Sequence, residues 1–298
     1  MKRHKICKII FAILAVFLCV AFYELIGICV TYKKQPAVSD ATIKETQNIM
    51  SVAGRENTER AVNIEKNSQA LLERVRLIQN AKDEIILSTF AFKSDESGKL
   101  ILGALHDAAD RGVHVRILVD GMESWIDMEG NPYFYGLSSH ENVEIKLYNK
   151  ANPLKPWKTM GRMHDKYLIA DGKIYILGGR NTYNYFLGDF PGHKNFDRDV
   201  LVVCDEPQKD NSVNQLWNYF ETIWEQEDCR NFHNSKKLAD RQSVKKAVLE
   251  LQEGYQQYFE VNKEKICDTD YADETFETEK ITLLSNPIHT QAKEPVVW

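Results

Sequence analysis

The sequence has no excess of positive charge and no clustered cysteines. Its 38 basic and 43 acidic side chains give a formal net charge of -5, so no overall positive field attracts the chain to nucleic acid, although a local basic pocket remains open. The six cysteines show no C-x-x-C spacing, which indicates neither a zinc site nor a disulfide framework. Because 43% of the 298 residues are hydrophobic and 27% are charged, a folded body is expected rather than disorder.

The first informative segment of the chain is apolar. Residues 9–23 carry no charge, and after Glu24 the apolar character resumes over residues 25–30, a length sufficient to cross a bilayer. A cleaved signal peptide is the alternative, but its apolar region would be shorter and would end in a small-x-small site, which this segment lacks. Residues 1–34 are therefore predicted to form a cytoplasmic tip and a transmembrane anchor.

Basic residues around this span predict its orientation. Four precede it and two follow it closely: Lys2, Arg3, Lys5 and Lys8, then Lys33 and Lys34. The positive-inside rule keeps the N-terminus cytoplasmic and places the body of the protein outside. Glu24 is costly in lipid, so we expect it at the membrane interface in a tilted helix. The polar stretch 35–67 is interpreted as a linker.

After the linker, the apolar pattern alternates between helical and strand periodicity. Helical spacing recurs over 70–81, 100–108 and 213–224, and β-prone runs lie at 84–92, 113–119, 143–148, 166–170, 173–177 and 200–204. Asp171-Gly172 predicts a tight hairpin turn. The pattern predicts an α/β fold with a mixed, mainly parallel sheet flanked by helices. A further strand is expected at 281–284 and the start of a helix at Glu294-Pro295.

One segment carries a specific chemical pattern, H-x-K-x4-D followed by G-G-x-N. Its members are His164, Lys166, Asp171, Gly178, Gly179 and Asn181. From average composition, this combination at fixed spacing is expected in fewer than roughly one in ten thousand chains of this length. The joint spacing therefore favours a function over a solvated strand face.

The spacing of the motif suggests a site for a phosphodiester. Residues two apart on a strand project from one face, so His164 and Lys166 are predicted to lie together. The ammonium suits a phosphate oxygen and keeps the imidazole neutral, which is its nucleophilic form. Gly178 and Gly179 would leave bare backbone for the ligand's oxygens, and the Asn181 amide would donate to them. Asp171 is assigned to turn formation.

The chain resembles the phospholipase D superfamily, and most closely the bacterial cardiolipin synthases. The resemblance extends beyond the motif to A-K-D-E-I-I-L-S-T-F-A-F and A-A-D-R-G-V-H-V-R-I-L-V-D within 81–120, to G-G-R-N-T-Y-N-Y-F-L-G ending at Gly188, to Arg198-Asp199, and to F-E-T-I-W from Phe220. Together these segments cover most of residues 68–226. The resemblance implies a phospholipase D-type sheet between helices, and residues 68–265 are predicted to form its catalytic half.

The resemblance implies a two-step displacement through a phosphohistidine that needs no metal and no cofactor. His164 would be nucleophile or general acid, Lys166 and Asn181 would stabilise the phosphoryl oxygens, and Asp199 would orient a catalytic imidazole. A lipid alcohol as acceptor, such as that of phosphatidylglycerol, would make the protein a phosphatidyltransferase acting at the membrane. The alternatives are a metal-independent phosphodiesterase or nuclease acting as a homodimer, against which the net charge counts, or an inactive fragment.

Family members use two such motifs, and this sequence contains one. His193, His233 and His289 lack the companion Lys and Asp at the required spacing. Either two copies pair to build one site, or a second half is missing. The second explanation is favoured because residues 266–298 look like the opening of the second half of a two-motif synthase, cut short. A second motif-bearing half is therefore an expected partner.

Overall fold

The computed structural model describes residues 2–33 and 59–285, except 151, 159–160, 208, 210 and 234, together with positions 40, 43, 44 and 47. Helix α1 spans Lys2–Lys33. Within it, Lys5–Val30 is long and apolar enough to cross a membrane, with a mean hydropathy of 2.7. The apolar side chains of this span are exposed, which is the arrangement expected of a helix surrounded by lipid.

The strands that the structure describes form one nine-stranded sheet in the order β8-β4-β3-β2-β5-β6-β7-β1-β9. Their bounds are β1 Arg60–Ile64, β2 Glu84–Thr89, β3 His114–Asp120, β4 Val143–Tyr148, β5 Lys166–Ala170, β6 Ile174–Gly178, β7 Asp199–Val203, β8 Cys229–Asn231 and β9 Phe276–Glu277. The expected mixed sheet flanked by helices is confirmed.

Parallel pairing is restricted to the three strands β2, β3 and β4. The other pairs are antiparallel, including β2 with β5 and β5 with β6, so the sheet is less parallel than the sequence predicted. The reason lies in the connections: helices link β2 to β3 and β3 to β4, whereas the turn at Asp171 and Gly172 joins β5 directly to β6. Asp171 and Gly172 both have positive φ, as the central residues of a type I′ turn require, and Lys173 completes the three-residue connection.

Helices cover both faces of the sheet. They are α2 Asn67–Asn80, α3 Glu96–Asp110, α4 Gly121–Asp127, α5 Pro132–Ser138, α6 Ser212–Trp224, α7 Lys236–Ala239 and α8 Gln242–Cys267, with a 3-10 turn at Pro156–Lys158. One core layer lies between the sheet and α2, α3, α5 and α8, and a second lies between the sheet and α6. In the second layer Phe220 and Trp224 are buried, so these aromatic residues of the amphipathic helix are core residues, as predicted.

The predicted linker at 35–67 is wrong at its end. Residues 60–64 form β1, which pairs with β7 on one side and β9 on the other, and α2 already begins at Asn67. A strand of five residues is too short to give a clear periodic signal. Its place in the sheet depends on pairing with strands more than 130 residues away in sequence.

The strand predicted at 281–284 is also wrong. These residues have no regular secondary structure, and they lie along α6, where the backbone N–H of Leu283 donates to the Gln215 side chain at 2.9 Å. Ile281 and Leu283 pack against the second core layer, which explains their apolar character without a sheet partner. The helix predicted from Glu294 lies outside the described residues.

Candidate active site

His164 lies at the edge of the sheet where the parallel strands end. It immediately precedes β5, and the antiparallel pairing of β5 with β2 places Lys166 opposite Thr89, the last residue of β2. The carboxyl ends of β3 and β4 reach the same edge because both strands run parallel to β2. Ligand sites in sheets of this kind are commonly found at that edge, so the position suits a functional residue.

His164 and Lys166 lie together around the ring of Phe90. The imidazole packs edge-on against this ring with 4.6 Å between centroids, and Nζ of Lys166 is 5.3 Å from its centroid. The same Nζ donates to the main-chain oxygen of His164 at 2.6 Å. Lys166 is 5% exposed, whereas His164 is open to solvent. The structure thus places the accessible imidazole of His164 beside the buried ammonium group of Lys166, whose position is fixed by this hydrogen bond.

Asn181 joins this group through the backbone next to Phe90. Its side-chain oxygen accepts from the N–H of Ala91 at 3.2 Å, and the neighbouring Thr182 bridges to Phe92. The side-chain oxygen is therefore occupied by a backbone donor, which leaves the NH2 group as the end of the amide that could donate to a ligand. The structure therefore brings His164, Lys166 and Asn181 to one small region.

Burial sets the protonation of the two motif residues. The side of the His164 ring that packs on Phe90 is shielded from water, and this partial desolvation lowers its pKa; the nearby charges of Lys166 and Arg162 lower it further, so the imidazole is neutral at pH 7. Burial also lowers the pKa of Lys166, to about 8, despite the opposing effect of Asp165 and Asp197. At neutral pH the site holds an uncharged nitrogen base beside a cation, a pair suited to attack on an anionic diester.

The two glycines are required by the packing around them, and their role in binding phosphate stays a prediction. A Cβ on Gly178 would clash with Oδ1 of Asp199, and one on Gly179 would clash with the carboxylate of Asp197. The space that a side chain would need is therefore filled by acidic groups of the adjoining β7 region. The lack of a side chain at Gly178 and Gly179 thus makes room for these carboxylates.

The structure pairs Asp199 with arginines and not with an imidazole. This differs from the prediction that Asp199 orients a catalytic imidazole. Its carboxylate is 2% exposed and pairs with two buried arginines, Arg74 at 3.0 Å and Arg180 at 3.3 Å. Arg180 also donates to main-chain oxygens of Ile64 and Glu65. The cluster ties β6 and β7 to the start of α2, so Asp199 has a structural role behind the site.

Asp171 also has a structural role. In addition to forming the turn, its carboxylate accepts from the backbone N–H groups of Lys82, Asp83 and Glu84 at 2.8–3.2 Å. It thereby fixes the loop that leads into β2.

Two carboxylates near the site have no counterpart among the predicted residues. Asp197 lies beside Gly179, and its charge raises the pKa of Lys166. Asp120 ends β3 and accepts from the N–H of Met163 at 3.1 Å and from Nε of Arg162 at 2.9 Å, which fixes the residues just before His164. Asp120 could have been found from the sequence, because it is a carboxylate at the end of a predicted strand.

Among the described residues, no group of three His, Cys, Asp or Glu could hold a metal ion.

Comparison with known proteins assigns the family. A family profile described as "Cardiolipin synthase, PLD-like domain" matches residues 75–224, which is half of the chain. The chain therefore belongs to the phospholipase D superfamily, in the PLD-like domain family of the cardiolipin synthases. This match includes all of the motif from His164 to Asn181.

Curated relatives agree with this assignment. An uncharacterized Helicobacter pylori protein is 33% identical over 181 residues, covering 56% of this chain and 35% of the relative. Cardiolipin synthase C of Escherichia coli is 29% identical over 154 residues, covering 47% and 31%, and cardiolipin synthase 1 of Staphylococcus aureus is 35% identical over 112 residues, covering 37% and 22%. The chain thus spans about a third or less of the length of these relatives.

Solved structures with a similar fold include two proteins of low sequence identity. Phosphatidylserine synthase of Haemophilus influenzae has a TM-score of 0.49 at 14% identity, covering 74% of this chain and 48% of that protein. The phospholipase D family member Nuc of Salmonella typhimurium has a TM-score of 0.42 at 18% identity, covering 59% and 98%.

Proposed function

We propose that the protein is a phosphatidyltransferase of the cardiolipin synthase type, which moves a phosphatidyl group to a lipid alcohol through a phosphohistidine. The observation that carries the proposal is the neutral, accessible imidazole of His164 beside the ammonium of Lys166, around Phe90. This pair occurs in a chain that belongs to a family of cardiolipin synthase domains. The candidate membrane span in α1 would hold the site near a lipid substrate.

In the first step a ring nitrogen of His164 attacks the phosphorus of phosphatidylglycerol. An N–P bond forms, the P–O bond to glycerol breaks, and the glycerol oxygen takes a proton from a general acid. Lys166 and the NH2 group of Asn181 donate to the non-bridging oxygens, whose charge they stabilise. In the second step the hydroxyl of another phosphatidylglycerol attacks the phosphorus and gives its proton to the group that acted as general acid in the first step; the N–P bond breaks and cardiolipin is released.

The general acid is assigned to a second histidine motif outside the one described. Two sources are open: a further motif-bearing half of the protein, or another copy of this chain. In either case the partner must approach the edge where His164 lies. Asp197, at the same edge, is positioned to contact the approaching half.

The expected topology follows from the charges that flank α1. Four basic residues before the span and two after it favour a single-pass protein with its body outside the cytoplasm. Protease added to the outer face of intact cells should then degrade the body. Protection of the body until the membrane is opened would reverse this orientation.

The test of the function uses the full chain in vesicles that contain phosphatidylglycerol. Cardiolipin and glycerol should form, and His164→Ala should reduce the rate by at least about 1000-fold because it removes the nucleophile. His114→Ala is the matched control, since His114 is an exposed histidine at the other end of β3, where it pairs with Glu144. A wild-type rate no greater than that of His164→Ala, both for the chain alone and after a separate motif-bearing half is added, would reject the proposal. Nicking of plasmid DNA without cardiolipin formation would favour a nuclease.

A further inference from the structure

Large apolar side chains are exposed on two neighbouring segments of the body. Trp125 and Ile126 on α4 are each 62% exposed, and Leu154 and Trp157 in the loop after β4 are 78% and 42% exposed. We call these four residues the apolar rim. Isolated exposed apolar residues are ordinary, but adjacent ones of this size mark an interaction surface.

The apolar rim lies on the same sheet edge as His164. Helix α4 begins where β3 ends and the 149–158 segment begins where β4 ends, and both strands run parallel to β2, whose end adjoins His164. The two segments pack closely, since a Cβ on Gly121 would lie 2.6 Å from Cα of Lys150. Asp120 connects the rim to the site, because it caps α4 and also holds the backbone of Met163.

The end of the candidate membrane span contacts this rim. Tyr23 donates from its hydroxyl to the main-chain oxygen of Leu154 at 3.1 Å, and Gly27 lies directly against the Pro156 ring. Between α1 and the body is a cavity of about 550 Å³, in which Glu24 and Ile28 of α1 face Trp125 and Pro153 together with the charged residues Glu129 and Lys150.

The position of these contacts along α1 gives the depth that the apolar rim would have in a membrane crossed by α1. Tyr23 and Gly27 lie seven and three residues before Val30, the end of the apolar span. At about 1.5 Å per residue, the rim reaches roughly 5–10 Å below that end. Tryptophan is enriched at this depth, where headgroups meet acyl chains. Lys150 and Lys155 are exposed beside the rim and could contact lipid phosphates.

We infer that the apolar rim inserts into the bilayer interface next to the anchor and holds the His164 edge against the membrane surface. The bilayer, rather than a second protein copy, is the occupant because the rim is continuous with the helix whose composition suits a membrane. The consequence for catalysis rests on the proposed function: a lipid phosphate would reach His164 without leaving the membrane interface. This assigns an interfacial contact to the body as well as to α1.

Tryptophan fluorescence tests the insertion without any need for turnover. The full chain, with Trp298→Phe as a common background, is reconstituted in phosphatidylcholine and phosphatidylglycerol vesicles whose acyl chains are brominated near the glycerol. We expect roughly a twofold loss of emission, caused by rim tryptophans at the interface. Adding Trp125→Phe and Trp157→Phe should abolish this loss. Trp217→Phe, on the α6 side of the sheet, should retain it.

The inference is overturned if brominated lipid quenches the rim variant as strongly as its parent, or quenches neither. Burial of the rim by a second copy would give the latter result, together with a dimer in cross-linking.

A second measurement connects the rim to catalysis. Ile126→Ser with Leu154→Ser should lower the rate on vesicle phosphatidylglycerol about tenfold while leaving the rate on a short-chain, monomeric phosphatidylglycerol unchanged. Leu249→Ser with Val261→Ser is the control, since these exposed residues lie on α8. Equal loss on both substrates would contradict the inference. Failure of the wild type on both substrates, even with a separate motif-bearing half added, would reject the proposed function, and the quenching result would still decide the insertion.

Discussion

His164 and Lys166 should give the reaction a bell-shaped dependence on pH. Nucleophilic attack needs neutral His164, whose pKa is lowered by burial and by Lys166, so activity should rise along an acid limb below about pH 6.5. Stabilisation of the diester needs charged Lys166, whose pKa is about 8, so activity should fall as pH rises through that value. The measurement is kcat/KM against pH, which reports the free enzyme.

Lys166→Arg separates this explanation from a general loss of folding at high pH. Arginine stays charged, so the alkaline limb should move well above pH 8 even though the rate at pH 7 falls. An alkaline limb at the same pH in both proteins would show that Lys166 does not cause it.

The buried Asp199 should contribute to stability rather than to the chemistry. Asp199→Asn leaves Arg74 and Arg180 without their shared carboxylate in a buried place, so unfolding by denaturant in detergent should require about 3 kcal/mol less free energy. Glu65→Gln is the control, because its pair with Arg198 is exposed and should contribute under about 1 kcal/mol. Unchanged stability with a large loss of rate in Asp199→Asn would restore a catalytic role.

The sequence predicts one part of the site well and the other poorly, for a physical reason. That His164 and Lys166 lie close together could be expected from their separation of two residues, which is local information. The partners of Asp199 are Arg74, more than 100 residues away, and Arg180, whose direction depends on the chain around it. Local spacing cannot indicate that these charges meet, nor that the glycines accommodate Asp197 and Asp199.

At the scale of elements, Asp120 links helix α4 to the loop that carries His164. Its carboxylate accepts from the N–H groups of Met122 and Met163, and its charge raises the pKa of His164. Asp120→Asn should lower kcat about tenfold through misplacement of the loop. It should also shift the acid limb of the pH profile to lower pH, because the negative charge that stabilises protonated His164 is lost.

Asp95→Asn provides the comparison for this prediction. Asp95 caps α3 in the same manner, accepting from the N–H of Gly98 at 3.1 Å. Loss of that cap should cost stability, about 1 kcal/mol, without moving the acid limb. If both variants shift the limb equally, the effect comes from helix capping rather than from the charge of Asp120.

Elements with a strong periodic pattern were predicted from the sequence, and short ones were not. Helices α3 and α6 have a clear apolar stripe that contacts the core, and their positions match within a few residues. Strand β1 has five residues and owes its conformation to β7 and β9. Residues 281–284 have the composition of a strand, but their apolar side chains Ile281 and Leu283 are partly buried by packing on α6. In both cases the deciding interactions come from distant parts of the chain.

At the scale of the whole molecule, the single motif makes a quantitative prediction about assembly. The mechanism needs a nucleophilic and a proton-donating histidine, and the 298 residues contain one H-x-K-x4-D motif. In vesicles that hold this chain alone, another copy must supply the second histidine. Activity in mixtures of wild type and His164→Ala should therefore follow the square of the wild-type fraction, because only pairs of wild-type chains contain both groups.

Mixing before reconstitution tests this dependence directly. An equal mixture at constant total protein should retain about a quarter of the wild-type rate if copies pair at random into symmetric dimers. Retention of half would mean that each chain completes its own site, which contradicts the pairing. Dilution with His114→Ala should leave the rate unchanged, since that variant keeps the motif. If no mixture is active and adding a separate motif-bearing half restores activity, that half is the partner instead of a second copy.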